Sequence, residues 1–203
     1  LEKFYILQES YLNEDLITES MRSILVEWMY DLCKEENKLN DGVFHLSVNL
    51  FDRFMIALKK NEFVKVDKSY LQLFATACLF LSSKFRSNSQ FDAFALIEYT
   101  DNSICLNDLL ESELFVLETL NWDVDSIVSN DFFQYFTNEL KTTQQNKDLI
   151  YQKFTEKTAK CCIDFNLQYY LPSQIATVCL LQILNDETLI ESNTQELEDN
   201  ILN

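Results

Sequence analysis

Two runs of the chain set its pattern of apolar and polar positions. Met21 to Met29 reads MRSILVEWM, and Leu46 to Phe54 reads LSVNLFDRF. In the first run Met21, Ile24, Leu25, Trp28 and Leu32 recur at the i, i+3, i+4, i+7 spacing of one face of a helix. Val26, Met29, Tyr30 and Cys33 make a second apolar face, and the polar arc of Ser23, Glu27, Asp31 and Lys34 is narrow. A helix with two apolar faces is either buried on both sides or offers one of them to a partner. Arg22 falls within the second apolar face. A buried arginine needs a carboxylate and further acceptors, because an unpaired buried charge costs several kcal/mol. Asp52, at the edge of the second run's apolar arc beside Val48, Met55 and Ile56, is the candidate.

The same periodicity predicts helices along the rest of the chain. A short amphipathic helix is expected from Glu2 to about Leu16, with Leu1, Phe4, Tyr5, Leu7, Tyr11 and Leu12 as its apolar members. Helices follow over about Ser20–Glu36, from an N-cap at Asp41 to Lys60, and over Asp67–Phe85, Phe91–Tyr99 and Leu106–Leu120. The third of these, YLQLFATACLFLSSKF, is apolar nearly all round, which marks the central helix of a bundle. Asn121–Ser129 reads as a linker. A second helical set covers Asp131–Leu140, Lys147–Phe165 and Ser173–Leu184, with a weak helix at Thr194–Leu202. The expected organisation is an N-terminal helix (1–18), a first five-helix unit (19–122) and a second helical unit (123–203) that stops short of a full set.

Composition narrows the class. The chain has 203 residues, 47% of them hydrophobic, but only one glycine, Gly42, and one proline, Pro172. Hairpins and tight turns lean on those two residues, so an all-α fold is expected. The scarcity of glycine also removes phosphate-cradling loops and argues against a nucleotide-using enzyme. A net charge of −17 repels phosphate backbones and anionic membranes and suits a basic partner surface, though acidity of this kind also simply keeps a protein in solution. The six cysteines, Cys33, Cys78, Cys105, Cys161, Cys162 and Cys179, include no CxxC and lie mostly in apolar helical runs. They read as reduced core residues, not as metal ligands, and His45 is the only histidine. No cofactor is implied, and no nucleophile–base set for an all-α enzyme converges. With no leader-like segment and no apolar run of about 20 residues, the chain reads as neither secreted nor membrane-spanning. Because it starts at Leu1, it reads as a piece of a longer protein.

MRSILVEW followed by LSVNLFDRF resembles the first half of a cyclin box. EWMYDLCKEE, VFHLSVNLFDRF, YTDNSI and the LNW before the linker are most similar to the D-type cyclins, cellular or viral. The likeness covers Met21 to Trp122 well and the second half loosely. It implies two tandem helical units, with Arg22 and Asp52 as a buried ion pair. It further implies a regulatory subunit that binds and activates a cyclin-dependent Ser/Thr kinase and promotes G1/S progression, with no catalytic residues of its own. Such a protein acts in the nucleus and cytoplasm, in a host cell if viral. Activation of this kind works by packing against the kinase's αC-type helix and activation loop.

By the same resemblance Lys84 and Glu113 match the pair that holds the kinase, on a face with Phe80, Phe85, Leu110 and Leu114. Spacing alone would make Lys84 and Glu113 an ordinary surface ion pair worth about 0–1 kcal/mol, and would make Phe80, Leu110 and Leu114 core residues. Met21, Ile24, Leu25 and Trp28 match a shallow groove that docks Arg-x-Leu segments of substrates and inhibitors, with Asp31 placed to meet a basic residue. Periodicity alone would turn that face into the core. Departures from the family pattern are Ser47 and Ser82 in place of alanines, whose hydroxyls are expected to bond back to helix carbonyls, and KFRSNSQ (Lys84 to Gln90), which lacks an acidic pair. An Leu-x-Cys-x-Glu segment for retinoblastoma-type proteins is absent, since Leu32-Cys33-Lys34-Glu35 has the wrong spacing. The competing reading is a cyclin-fold adaptor in transcription that binds proteins or nucleic acid.

Overall fold

The computed structural model describes residues 2–4, 6–13, 16–61, 67–138 and 143–186. Within these, helices α1 (Glu19–Glu35), α2 (Val43–Lys60), α3 (Leu71–Arg86), α4 (Ala93–Tyr99) and α5 (Leu106–Thr119) come first. Helices α6 (Phe132–Thr137), α7 (Gln144–Ile163) and α8 (Pro172–Asp186) follow after a linker and a 3₁₀ turn at Ser129–Asp131. Helix α3 packs between α2 and α5, and α1 packs against α2, α3 and α7. The expected helix at Thr194–Leu202 lies outside the described residues, as does the end of the one expected over Asp131–Leu140.

Local chemistry explains most boundaries. The Thr18 hydroxyl accepts the Met21 N–H (3.2 Å) and starts α1. Asp67 caps a 3₁₀ turn, Lys68–Tyr70, that leads into α3. A chain with one glycine must end its helices otherwise, and asparagine and aspartate do so. Asn37 (φ 55°), Asp101 (φ 54°) and Asn121 (φ 53°) take the left-handed conformation just past α1, α4 and α5. In each case the following N–H reaches back into the last turn: Lys38 to Cys33 O (2.7 Å), Asn102 to Ile97 O (3.1 Å) and Trp122 to Leu117 O (2.8 Å). Asp41 is not the cap of α2. Gly42 holds that position at φ 73°, and the Asp41 carboxylate instead accepts the Ser87 hydroxyl (2.5 Å).

The N-terminal helix expected over Glu2–Leu16 is not formed. Among the described residues, one 3₁₀ turn, Glu2–Phe4, is present, and residues 6–13 are irregular up to an isolated bridge between Asn13 and Ile17. The segment works as a strap. Glu2 accepts the N–H (3.0 Å) and hydroxyl (2.8 Å) of Ser173 at the start of α8. Leu7 N–H bonds Gln168 O (3.3 Å), and Tyr11 OH reaches Asp52 on α2 (2.7 Å). Extended chain advances about 3.3 Å per residue against about 1.5 Å in a helix, which lets so short a stretch touch three separate elements.

Buried apolar side chains form two clusters. The larger gathers the faces of α1 to α5 with Leu7, Tyr11 and Ile17 of the strap, and takes in Ala159, Cys162 and Phe165. The smaller holds Phe133, Ile150, Phe154, Ala176, Cys179, Leu180, Ile183 and Leu184 from α6, α7 and α8. Ser47 follows the expectation from sequence, donating to Phe44 O (2.8 Å). Ser82 does not: its buried hydroxyl has no hydrogen-bond partner among the described residues, whereas the neighbouring Ser83 donates to Phe80 O (2.8 Å) and accepts the Phe91 N–H (3.0 Å).

Candidate functional site: two interhelical ion pairs and an exposed helix face

Lys84 stands in the last turn of α3 and Glu113 in the middle of α5, helices that pack side by side. The Lys84 ammonium donates to both carboxylate oxygens of Glu113, at 2.6 and 2.8 Å. It also lies 3.8 Å from the centre of the Phe80 ring, one turn back on α3, in a cation–π contact. The pair is therefore closed and oriented before any partner arrives. Around it Phe85 (53% exposed), Leu110 (44%) and Leu114 (48%) face solvent. Phe80 does not share that face. At 6% exposure it belongs to the core and forms the floor under the ammonium. Phe94, on α4, and Phe115, on α5, are further exposed aromatics that the sequence reading did not single out. The signal for Phe115 was its place right after Leu114 at the edge of an apolar arc.

On α1, Met21 and Trp28 are half-buried, Ile24 is 66% exposed and Asp31 is exposed, so these four line one side of the helix. Leu25 departs from the expected groove. It is 9% exposed and packs into the larger cluster. Leu25 lies about 100° round the helix from Ile24, on the side of Met29 and Leu32, which are also buried.

Arg22 and Asp52 meet in the interior. Arg22 Nε and Nη2 donate to the two oxygens of Asp52 at 2.9 and 2.7 Å, with both side chains almost wholly buried. Tyr11 donates to the same carboxylate. Nη1 donates to Ile163 O (2.8 Å) and Nη2 also to Cys162 O (3.0 Å) at the end of α7, and the group lies 5.0 Å from the Phe165 ring centre. Burial alone would push the arginine pKa down, but the Asp52 charge and hydrogen bonds outweigh it and hold it above its usual value. Burial, then Asp52, raise the Tyr11 pKa well above normal, so the phenol stays a donor. Sequence periodicity pointed to Arg22 and Asp52. Tyr11 and the two carbonyls carry no sequence signal.

Two more arginines fix the linker between the halves. Arg53 donates to Ser126 Oγ (2.6 Å) and Asp123 O (2.8 Å), and Arg86 to Ser126 O (2.6 Å) and to Asp131. In KFRSNSQ, therefore, Lys84 turns to α5 while Arg86 turns to the linker. No group of His, Cys, Asp and Glu among the described residues could hold a metal ion. No described helix is long and apolar enough to cross a membrane.

The family model for the cyclin N-terminal domain matches residues 1–125. This chain belongs to the cyclin family. It is 38% identical over 160 residues to the G1/S-specific cyclin-D1 of Xenopus laevis, covering 79% of this chain and 53% of that protein. It is 33% identical over 202 residues to the G1/S-specific cyclin-D2 of the same species, covering 96% and 67%. A viral cyclin from herpesvirus saimiri has the same fold, with a TM-score of 0.79 at 25% identity over 92% of this chain and 78% of the viral one. The cyclin fold, all-α with helical units in tandem, is thus that of the chain. It spans about half to two-thirds of the length of the curated cyclins it matches.

Proposed function

We propose that this cyclin is a non-catalytic regulatory subunit that binds and allosterically activates a cyclin-dependent Ser/Thr kinase in G1/S progression. The observation that carries the reading is the preformed Lys84–Glu113 pair, seated on Phe80 and rimmed by exposed Phe85, Leu110 and Leu114. A closed ion pair in an apolar rim offers a rigid, charged anchor to a docked helix. Lys84 can cap the carbonyls at that helix's end, and Glu113 can accept its N–H groups. The kinase then gains its active αC position from the complementarity of this face, since a ligand shifts an equilibrium only by binding one state better. Membership in a family whose matched relatives are named G1/S-specific cyclins supports the same reading.

Within this proposal, the first box runs over 19–122 and the second unit begins at 123. Met21, Ile24, Trp28 and Asp31 serve as the docking face for Arg-x-Leu segments of substrates and inhibitors, retinoblastoma-type proteins among the substrates. The acidic balance of the chain, −17 overall, suits basic docking segments. The protein acts inside the cell, in nucleus and cytoplasm. The test is to mix the purified chain with a panel of cyclin-dependent kinases, then measure complex formation and phosphorylation of a retinoblastoma-protein fragment. A stable, active complex is expected. No complex with any kinase would overturn the proposal in favour of an adaptor.

A further inference from the structure

Cys161 and Cys179 differ from the other cysteines of the chain. Cys161 lies in the last turn of α7 and Cys179 in the middle of α8, and their sulfurs are 3.7 Å apart. Disulfide sulfurs sit about 2.05 Å apart, so the thiols have roughly 1.7 Å to close. The two helices pack on each other around Phe154, Ala176, Leu180 and Ile183, so the thiols are held face to face by a core and not by a loop. Cys161 is partly open to solvent, whereas Cys179 is 3% exposed behind it.

The electrostatics point the same way. The hydrogen bond from the Cys179 thiol brings the Cys161 pKa down to about 7; burial opposes the shift, Lys157 one turn earlier adds to it and Asp164 works against it. Burial instead pushes Cys33 and Cys78 up, and Cys162 to about 12. The chain thus pairs one partly accessible thiol, its pKa held below the usual value, with a buried thiol in contact with it.

We propose that Cys161 and Cys179 are an oxidation-sensitive pair that closes to an intramolecular disulfide when the protein meets hydrogen peroxide. The Cys161 thiolate attacks one peroxide oxygen. An S–O bond forms, the O–O bond breaks, and the hydroxide released takes up a proton to leave as water. Cys179 then gives up its proton and attacks the Cys161 sulfur. The S–S bond forms as the S–O bond breaks, and a second water leaves with that proton. Both thiols are oxidised, by two electrons in all, and the peroxide is reduced to two waters. The product staples α7 to α8, and a dithiol reverses it.

The experiment treats the reduced protein with stoichiometric hydrogen peroxide near neutral pH, blocks remaining thiols with N-ethylmaleimide, and maps chymotryptic peptides by mass. Wild type should lose the maleimide adducts at Cys161 and Cys179, yield a peptide pair joined through them, and regain both adducts after dithiothreitol. Cys162→Ser should behave the same. Cys161→Ser should form no link. Cys179→Ala, checked for native helicity by circular dichroism, should instead hold a sulfenic acid at Cys161 that dimedone traps. Retention of both adducts in wild type would overturn the proposal. So would a link through Cys162, or equal dimedone labelling of wild type and Cys179→Ala.

Discussion

Arg22–Asp52 and Lys84–Glu113 are both interhelical ion pairs with close, two-point contact, yet they belong to different regions and do different work. The first is sealed, with side chains 0% and 1% exposed, and all three guanidinium nitrogens are bonded to Asp52 or to carbonyls of α7. The second is at the rim, 32% and 13% exposed, and rests on one aromatic ring. Desolvation decides the difference. A buried charge that loses its partner has no water to turn to, whereas a rim charge does. The inner pair is therefore a condition of the fold, and the outer one is free to be used for binding.

The strongest way to break this comparison is Asp52→Ala. It strands Arg22 in the core and should cost about 3–5 kcal/mol of stability, read by urea denaturation. If the loss were no greater than for a surface pair, Arg22 must find water or another acceptor, and the contrast fails. Tyr11→Phe removes one hydrogen bond to the same carboxylate and should cost about 1.5–3 kcal/mol. It also tests the strap, since Tyr11 is that segment's buried link to α2, beside the exposed contacts of Lys59 with Ser10 O and of Lys60 with Glu9.

A third test uses pH at the junction of the halves. His45, buried on α2, bonds Thr158 on α7 (3.0 Å). Thr158 Oγ1 donates to Phe154 O (2.9 Å) or Thr155 O (3.2 Å), so it accepts the Nε2–H of a neutral imidazole. Burial pushes the His45 pKa down to about 4, with Asp131 opposing and Arg86 adding. A depressed folded-state value means that the unfolded chain binds the proton more readily. This contribution is therefore whole above the ordinary pKa of about 6.5 and is lost as pH falls toward 4. Between pH 6.5 and 5 wild type should lose about 1.5 kcal/mol more than His45→Gln.

The smallest effect on stability, and the largest on function, belongs to Lys84. Lys84→Ala should shift stability by about 0–1 kcal/mol, with Lys84→Glu abolishing kinase activation at unchanged helicity. A melting transition that collapses with Lys84→Glu would place the residue in the fold instead. On the outer face of α1, Trp28→Ala should weaken phosphorylation of Arg-x-Leu substrates and spare a short peptide lacking that motif. Equal loss on both would remove the docking role.

Apolar period and the lack of glycine and proline were enough to determine an all-α chain, its main helices to within a few residues, and the need of Arg22 for Asp52. These are local properties: a 3.6-residue repeat and an uncompensated charge both show within a short window. The tertiary structure alone decided what lies opposite each face. Ile24 and Leu25 both belong to the apolar arc read from the spacing, yet α1's packing sends one outward and the other into the core. Phe80 became the floor of a site and not its rim because α3 is enclosed between α2 and α5. The N-terminal segment had helical spacing, but its partners on α2, at Gln168 and on α8 drew it out into a strap. Arg22's carbonyl acceptors and the meeting of Cys161 with Cys179 likewise depend on how α7 and α8 return to the first five helices. Periodicity assigns residues to faces; the neighbours that fold back from far along the chain determine which faces see water.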